Sequence, residues 1–423
     1  MKERSVVLIV AAVQFVNILD FMMVMPLGPD FAVSLGIPTS RIGVLGGAYT
    51  FAAALAGIFG ASVLDRFDRK KALAVTMLGL ALGTALGGLS VGMGSLIAAR
   101  LLAGAFGGPA TAVALAIIAD AVPAAQRGKA IGTVMSAFSV ASILGVPAGL
   151  RVAQWLGWRA PFFGVAALCL LLTAVAFRLL PNLRAHLDAR TVPDAPNAPN
   201  APHARGSRLT FDALTRATLL NTAIVMLGVF AIVPNISTFL QRNVGYPREQ
   251  LDTIYFVGGL ASFFANRAVG LLVDRFGATR LIVAGTGIFA FALYFGFIDP
   301  VGAGHVIYVY PLLMLSATVR GVPINTLASR VPPPAERARF MSALNATQHL
   351  SSSAGALVAS FMLSADGTGR LEGMDHVAVA AIAVALFVPF VSALIERRVL
   401  AKERAARDAA PPAPITPAPA EAS

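Results

Sequence analysis

Runs of roughly 20 apolar residues, separated by short clusters of charge, glycine and proline, recur along the whole chain. Each run is long enough to cross a hydrocarbon core about 30 Å thick as a helix. Inside a bilayer only helices and closed barrels satisfy every backbone polar group. Splitting the runs at charge, Gly and Pro predicts helices over 6–27, 40–62, 72–93, 96–121, 130–152 and 160–181. A second set follows over 216–236, 251–272, 281–298, 306–328, 340–364 and 376–397. The expected fold class is an all-α membrane protein, with twelve transmembrane helices in two pseudo-symmetric six-helix bundles. The domains are then 1–181, a linker 182–215, 216–398 and a tail 399–423. The Ala-Pro-Asn repeats between Ala195 and His203 cannot bury apolar surface, so linker and tail are expected to be flexible.

The start, Met1-Lys2-Glu3-Arg4 followed by apolar Ser5 to Leu19, has the look of a signal peptide. The apolar stretch continues to Leu27, however, too long for a signal peptide's apolar region, and no clear small-x-small cleavage site precedes a soluble domain, so this segment reads as the first membrane helix. Composition agrees with a bilayer protein: of 423 residues 57% are apolar and 13% charged, and the mean hydropathy is +0.75. A net charge of +12 raises the question of nucleic acid, but no basic patch is interleaved with aromatic residues. The positive-inside rule accounts for it better. Lys2, Arg4, Arg66, Arg69, Lys70, Lys71, Arg127 and Lys129 fall on the side of the termini, with the basic residues of the linker, later loops and tail. The opposite side holds Arg41, Arg151, Arg159, Arg242, Arg248 and Arg370. The expected location is the inner (cytoplasmic) membrane, multi-pass, with both termini cytoplasmic. The single cysteine, Cys169, lies in an apolar run and gives no disulfide framework.

The halves repeat. Val63-Leu64-Asp65-Arg66-Phe67 returns as Leu272-Val273-Asp274-Arg275-Phe276, and at the same offset Val122-Pro123 returns as Val331-Pro332, each followed by an arginine, Arg127 and Arg337. Two matches at one offset indicate duplicated six-helix units, the parallel-repeat arrangement of one transporter class.

The loop Asp65-Arg66-Phe67-Asp68-Arg69-Lys70-Lys71 resembles the G-x-L-a-D-R-x-G-R-[RK] signature of the major facilitator superfamily, in its bacterial drug/proton antiporter and sugar-efflux branch. Ala61 and Asp68 depart from the usual glycines, whereas Gly270, Asp274, Arg275, Gly277 and Arg280 fit. The resemblance implies a latch between the halves built from Asp65, Arg66, Arg69, Asp120, Arg127, Asp274, Arg275 and Arg280. The alternative is that these loops only enforce topology by charge. Arg100, Gly104 and Gly108 resemble the family's R-x-x-x-G-x-x-x-G pattern, whose small residues form one stripe for close helix packing. Gly145-Val146-Pro147-Ala148-Gly149 resembles the antiporter branch's glycine-proline motif, expected to allow a bend and contact with the opposite half, or else a plain kink. Gly157-Trp158-Arg159 also fits this branch.

Of 21 acidic residues, Asp20 alone sits well inside a span, at a depth compatible with pairing to Arg100. Burial and a nearby arginine pull its proton affinity in opposite directions, so Asp20 is the proton-carrier candidate and Arg100 its modulator. The alternative is an Asp held permanently by helix partners. Gln14, Asn17 and Asp20 share a helical stripe expected to line a wet cavity, joined by Arg320 and by the helix 11 face Ser342, Asn345, His349 and Ser352. Met22, Met23, Met25, Phe15 and Phe21 supply either a tolerant apolar wall or plain packing.

The reading is a proton-coupled exporter of a small organic molecule, drug or sugar-like, working by alternating access. Uptake or facilitated diffusion of a sugar or metabolite is the alternative, with a non-transporting sensor further off. No cluster of acids, histidines or metal ligands suggests an enzyme, no metal is expected, and the energy source would be the proton motive force rather than a cofactor. The expected partners are a small-molecule substrate and the lipid bilayer, without nucleic acid, and the chain is expected to act as a monomer.

Overall fold

A computed structural model describes residues 3–64, 66–181, 212–333 and 336–408. Among the described residues twelve long helices run back and forth: α1 (Glu3–Val24), α2 (Ile42–Leu64), α3 (Arg69–Gly88), α4 (Met93–Ala121), α5 (Gln126–Leu156) and α6 (Arg159–Leu179) form the first half. The second comprises α7 (Ala213–Arg242), α8 (Leu251–Phe276), α9 (Ala278–Ile298), α10 (Val306–Arg330), α11 (Arg337–Met362) and α12 (Met374–Ala385 continued by Phe387–Asp408). The face where α1 begins and α12 ends is called terminal below, the other distal. On the distal face a short helix, Gly28–Leu35, follows α1, and a two-stranded hairpin, β1 (Ser364–Ala365) and β2 (Leu371–Glu372), joins α11 to α12.

Among the described residues, eleven helices combine the length and hydropathy to cross a membrane. The twelfth, α11, has the length at 26 residues but carries Ser342, Asn345, Gln348, His349 and three consecutive serines. Such polarity is affordable only on a helix turned away from lipid.

Two boundaries differ from expectation. α7 begins at Ala213 because the Asp212 side chain accepts a hydrogen bond from the Thr215 backbone N–H, an N-cap that fixes the start earlier than 216. The linker expectation for 182–211 falls outside the described residues. α12 runs on to Asp408, through the first part of the expected flexible tail, because Ala, Lys, Glu and Arg are strong helix formers. Arg330 at the end of α10 also holds Glu403 through a two-pronged ion pair.

Close packing rests on glycine. A Cβ at Gly104 of α4 would lie 2.2 Å from the Tyr49 carbonyl oxygen of α2, and one at Gly108 would lie 2.7 Å from the Ala53 carbonyl oxygen. The backbones therefore approach too closely for any side chain, as the Arg100–Gly104–Gly108 stripe predicts. The α5 pass is not a regular helix. Residues Ala141–Gly145 form a π turn immediately before Pro147, whose missing N–H leaves the α-helical ladder incomplete.

One continuous apolar core fills the first half and crosses into the second through Ile232, Phe239, Leu240 and Leu251. A second, separate core of Leu214, Val269, Ile282, Phe340 and Ile395 occupies the terminal end of the second half. The halves thus share a core distally and not at the terminal face.

Gly104→Ala is expected to destabilise the protein by about 1–3 kcal/mol, since backbone carbonyls cannot give way. Gly57→Ala, with open space around its Cβ, should be near neutral; thermal unfolding of both purified variants in detergent checks this.

Candidate functional site

The centre of the first half holds a buried ion pair. Asp20 is 0% exposed and Arg100 1%. Arg100 Nη1 donates to Asp20 Oδ1 at 3.2 Å and Nη2 to Oδ2 at 3.1 Å, and Nη2 also reaches the Asp20 carbonyl at 3.4 Å. Thr84 Oγ1, from α3, donates to Oδ1 at 2.6 Å. The guanidinium carbon lies 4.7 Å from the centre of the Tyr49 ring, within cation–π range. Arg100 Nε has no hydrogen-bond partner. The carboxylate is therefore better satisfied than the guanidinium that holds it.

The expectation that Gln14, Asn17 and Asp20 line a water-filled cavity is corrected. All three are buried inside the first half. Asn17 Nδ2 donates to the Gly107 carbonyl and to Thr111 Oγ1, both at 2.8 Å, and Tyr49 Oη donates to Asn17 Oδ1 at 3.1 Å. Gln14 Nε2 donates to Thr111 Oγ1 at 3.3 Å. The stripe is turned toward α2 and α4 because those helices supply the hydrogen bonds its polar atoms need in a dry interior.

Arg320 is likewise buried rather than cavity-lining. Its Cγ passes through the notch left by Gly285 of α9, and its guanidinium lies 3.9 Å from the centre of the Phe289 ring. Nε and Nη2 find no hydrogen-bond partner. No counter-charge corresponds to Asp20 among the described ion pairs of the second half's interior.

The two halves meet along a seam of four helices, α2 against α11 and α5 against α8. Distally the seam is shut. Gly43 of α2 packs on Ala356 and Ser360 of α11, Gly47 packs on Ser353 and Ala356, and Gly259 of α8 packs on Ser142 and Ile143 of α5. Continuing each stripe at helical spacing toward the terminal face, Gly57 on α2, Gly132 on α5 and Gly270 on α8 meet open space. Ile58, Phe263 and Asn345 on the same stripes are exposed. Of the predicted polar face of α11, Asn345 lies on this stripe in the open part and His349 half-buried at mid-depth; Ser342 is exposed, Ser352 is buried with its hydroxyl on the Gln348 carbonyl, and the neighbouring Ser353 is the serine in the closed part. The π turn of α5 supplies the Ser142–Ile143 contact. Gly145 and Gly149 were expected to touch the opposite half, but they face Leu19 and Met23 of α1 in their own half. Met23 and Met25 are packed interior residues, while Phe21 reaches Phe230 of the second half at 6.0 Å between ring centres.

At the terminal face, Arg69 Nε donates to Asp120 Oδ2 at 3.3 Å and Arg127 Nε to the Val122 carbonyl at 3.0 Å, all within the first half. Arg66, Asp274, Arg275 and Arg280 are exposed. Asp65 lies outside the described residues. Where the family signature has glycine, Asp68 accepts a hydrogen bond from the Lys70 backbone N–H and caps α3 with ordinary backbone angles. The second half uses Gly277 at φ 83°, a conformation that glycine tolerates best. Sequence reasoning missed Glu396 of α12, which accepts the Ala278 and Thr279 backbone N–H groups at 2.8 and 3.1 Å and so neutralises the α9 N-terminus.

Two bundles of helices, joined distally and parted at the terminal face, define a membrane protein of the transporter class with two pseudo-symmetric halves. The Major Facilitator Superfamily profile matches residues 10–356 and 218–418. The chain belongs to the major facilitator superfamily and has the transporter fold of that family. It is 29% identical over 278 residues to a chloramphenicol resistance protein of Streptomyces lividans, covering 66% of this chain and 69% of the relative. It is 22% identical over 287 residues to multidrug resistance protein 2 of Bacillus subtilis (strain 168), covering 66% and 70%. A probable 4-methylmuconolactone transporter of Cupriavidus pinatubonensis is 26% identical over 277 residues, covering 62% of this chain and 61% of the relative. Among solved structures, a bacterial homolog to the human lysosomal transporter Spinster, in an inward-facing and unoccupied conformation, superimposes with a TM-score of 0.73 at 16% identity, over 97% of this chain and 99% of that one. The inward-open xylose transporter XylE from E. coli gives 0.67 at 16% identity, over 92% and 96%.

Arg100→Ala should leave Asp20 as an uncompensated buried charge and cost about 3–5 kcal/mol. Adding Asp20→Asn to that variant should recover part of the loss. Unfolding free energies of the two variants and the wild type, measured side by side, check the coupling.

Proposed function

We propose that this protein is a proton-coupled antiporter that exports a small organic molecule, with both termini cytoplasmic and the structure inward-facing. The observation that carries the reading is the Asp20–Arg100 pair, a titratable carboxylate sealed within the first half and held by partners from α3 and α4. In this state Asp20 is satisfied as a carboxylate. Binding a proton removes the counter-charge, and Arg100, whose Nε already lacks a partner, becomes a buried unpaired cation. That cost favours a rearrangement of α1 against α4.

The rearrangement has a direct path to the seam. Tyr49, stacked on Arg100 and bonded to Asn17, belongs to α2, the helix whose Gly43–Gly47 stripe seals the distal side. Met22, two residues after Asp20, accepts the Ser142 hydroxyl of the α5 π turn at 3.7 Å. Protonation would thus act on both first-half helices that face the opposite half, the ones whose contacts change when a distal seal is traded for a terminal one.

Cargo would enter between the open terminal halves of α2, α5, α8 and α11, where Asn345 and His349 offer hydrogen bonds beside exposed Phe263 and Met135. A mixed surface of this kind suits amphiphilic organic molecules better than ions. The drug-resistance relatives support export of such compounds. The inner membrane is the expected location, with the proton gradient as energy source and no cofactor, and the protein working as a monomer on a small-molecule substrate. Uptake of a sugar or metabolite is the second reading, with which a relative named as a probable 4-methylmuconolactone transporter is compatible.

Each pH unit across the membrane is worth about 1.4 kcal/mol per proton, so one-for-one exchange sustains about a tenfold gradient of a neutral cargo. In proteoliposomes loaded with chloramphenicol or a comparable amphiphilic drug, an imposed pH difference should drive export, and Asp20→Asn should lower the driven rate at least tenfold. Downhill exchange should survive. Driven export that persists unchanged in Asp20→Asn would reject the coupling assignment, and flux indifferent to the pH gradient in the wild type would favour the second reading.

A further inference from the structure

Among the described residues two ion pairs cross the distal seam, and neither is foreshadowed by a sequence motif. Arg151 Nε on α5 holds Asp252 Oδ2 at the start of α8 at 2.6 Å. Arg248 Nη2, three residues ahead of α8, holds Asp30 Oδ1 on the short helix after α1 at 2.7 Å. The polarity is crossed: the first half contributes the arginine to one pair and the aspartate to the other. Gln154 Nε2, one turn beyond Arg151, donates to the Arg248 carbonyl at 3.3 Å, so both pairs and this bond converge on the first turn of α8 and the residues leading into it.

Their positions matter as much as their distances. Asp252 lies on the same stripe of α8 as Gly259, at helical spacing from the contact with the α5 π turn. Arg151 and Gln154 lie on α5 beyond that contact. The pairs therefore stand at the distal edge of the seam, where separation of the halves has to begin. Beside them is a cavity of about 580 Å³ whose walls come from both halves: Asp30, Ser34 and Trp158 from the first, Arg242, Tyr246 and Arg248 from the second. The cavity spans the closed seam and keeps the Asp30–Arg248 pair near solvent. Burial pushes the Asp30 carboxyl above the usual carboxylate range, and the Arg248 charge and hydrogen bond offset this in part. A pair so placed is weak enough to break within each cycle, as a gate requires.

We propose that Asp30, Arg248, Arg151 and Asp252 form the distal latch of this transporter, a crossed pair of inter-half ion bridges that close when cargo is admitted from the terminal side and separate when the distal side opens. The crossed polarity makes the latch selective for register, since sliding one half along the other would bring like charges together. The proposal rests on the alternating-access reading above and is independent of the cargo and of the role of Asp20.

The test uses the full chain with Cys169→Ser, which removes the single native cysteine, and Ser353→Cys, a nearly isosteric change at a buried seam position. A membrane-impermeant maleimide added from the distal side of oriented vesicles reads opening of the seam. Asp30→Asn and Asp252→Asn should each raise the labelling rate, by about five-fold for a partly exposed pair. Exchanging the partners, Asp30→Arg with Arg248→Asp, should bring the rate back to within about two-fold of the parent, whereas a merely structural role for either side chain gives no such rescue. A parallel chain with Asn345→Cys, exposed on the terminal side here, should label more slowly from that side in the same Asn variants. Unchanged labelling of Ser353→Cys in both Asn variants overturns the latch, as does an exchange variant that labels as fast as the single ones. A rise at both reporter positions marks loosening of the whole fold and also contradicts it. None of these readouts requires transport, so loss of driven export in Asp20→Asn bears on the coupling assignment alone.

Discussion

An arginine and an aspartate buried in a medium that solvates neither of them set the terms for this protein. Removing two charges from water is costly, and close pairing with further hydrogen bonds is what makes it tolerable. Asp20 and Arg100 meet that condition with two side-chain bonds, the Thr84 hydroxyl and the Tyr49 ring. Residues from α1, α2, α3 and α4 are thereby tied to one charge state. A change of one proton at Asp20 alters the energy of all four helices together, which is the property a coupled transporter needs and a passive scaffold does not.

The glycines decide where that energy can be felt. Gly104 and Gly108 bring α4 into direct backbone contact with α2, so α2 packs straight onto the helix that carries Arg100. Gly43 and Gly47 on α2 then meet α11, and Gly259 on α8 meets the π turn of α5. These glycine contacts are small and smooth, and the distal seam is held by them, by the apolar core that crosses between the halves and by polar links at its rim. Among the described residues the second half shows no matching charge pair, and Arg320 rests on the face of Phe289. The two halves share an architecture and differ in chemistry, with the titratable centre in the first and the polar stripe of α11 in the second.

Much of this was legible in the sequence, for definite reasons. Twelve apolar runs and a duplicated Asp-Arg-Phe loop give the architecture, since lipid leaves so few ways to bury a backbone. An acid inside a span is conspicuous, and the depth comparison with Arg100 led to the observed pair. The azimuth of a helix was not legible. Spacing placed Gln14, Asn17 and Asp20 on one stripe but could not say that the stripe faces Tyr49, Gly107 and Thr111 rather than water. Arg320 failed in the same way, because only the structure shows the Gly285 notch that admits its side chain to α9. Asp30, Asp252 and Glu396 were invisible for the opposite reason: charges near helix ends are commonplace, and only tertiary placement singles these out. Helix α12 outlasted its apolar segment because helix propensity and the Glu403 ion pair persist where hydropathy stops.

The central claim is that Asp20 changes its protonation state as the halves rock, and infrared difference spectroscopy on the purified protein reads that event directly. Switching the population from terminal-open to distal-open should produce a protonated-carboxyl carbonyl band that is missing in Asp20→Asn and shifted by labelling aspartate with ¹³C. An Asp20 that stays a carboxylate in both states, with no such band gained or lost, would contradict the account even if the protein transports.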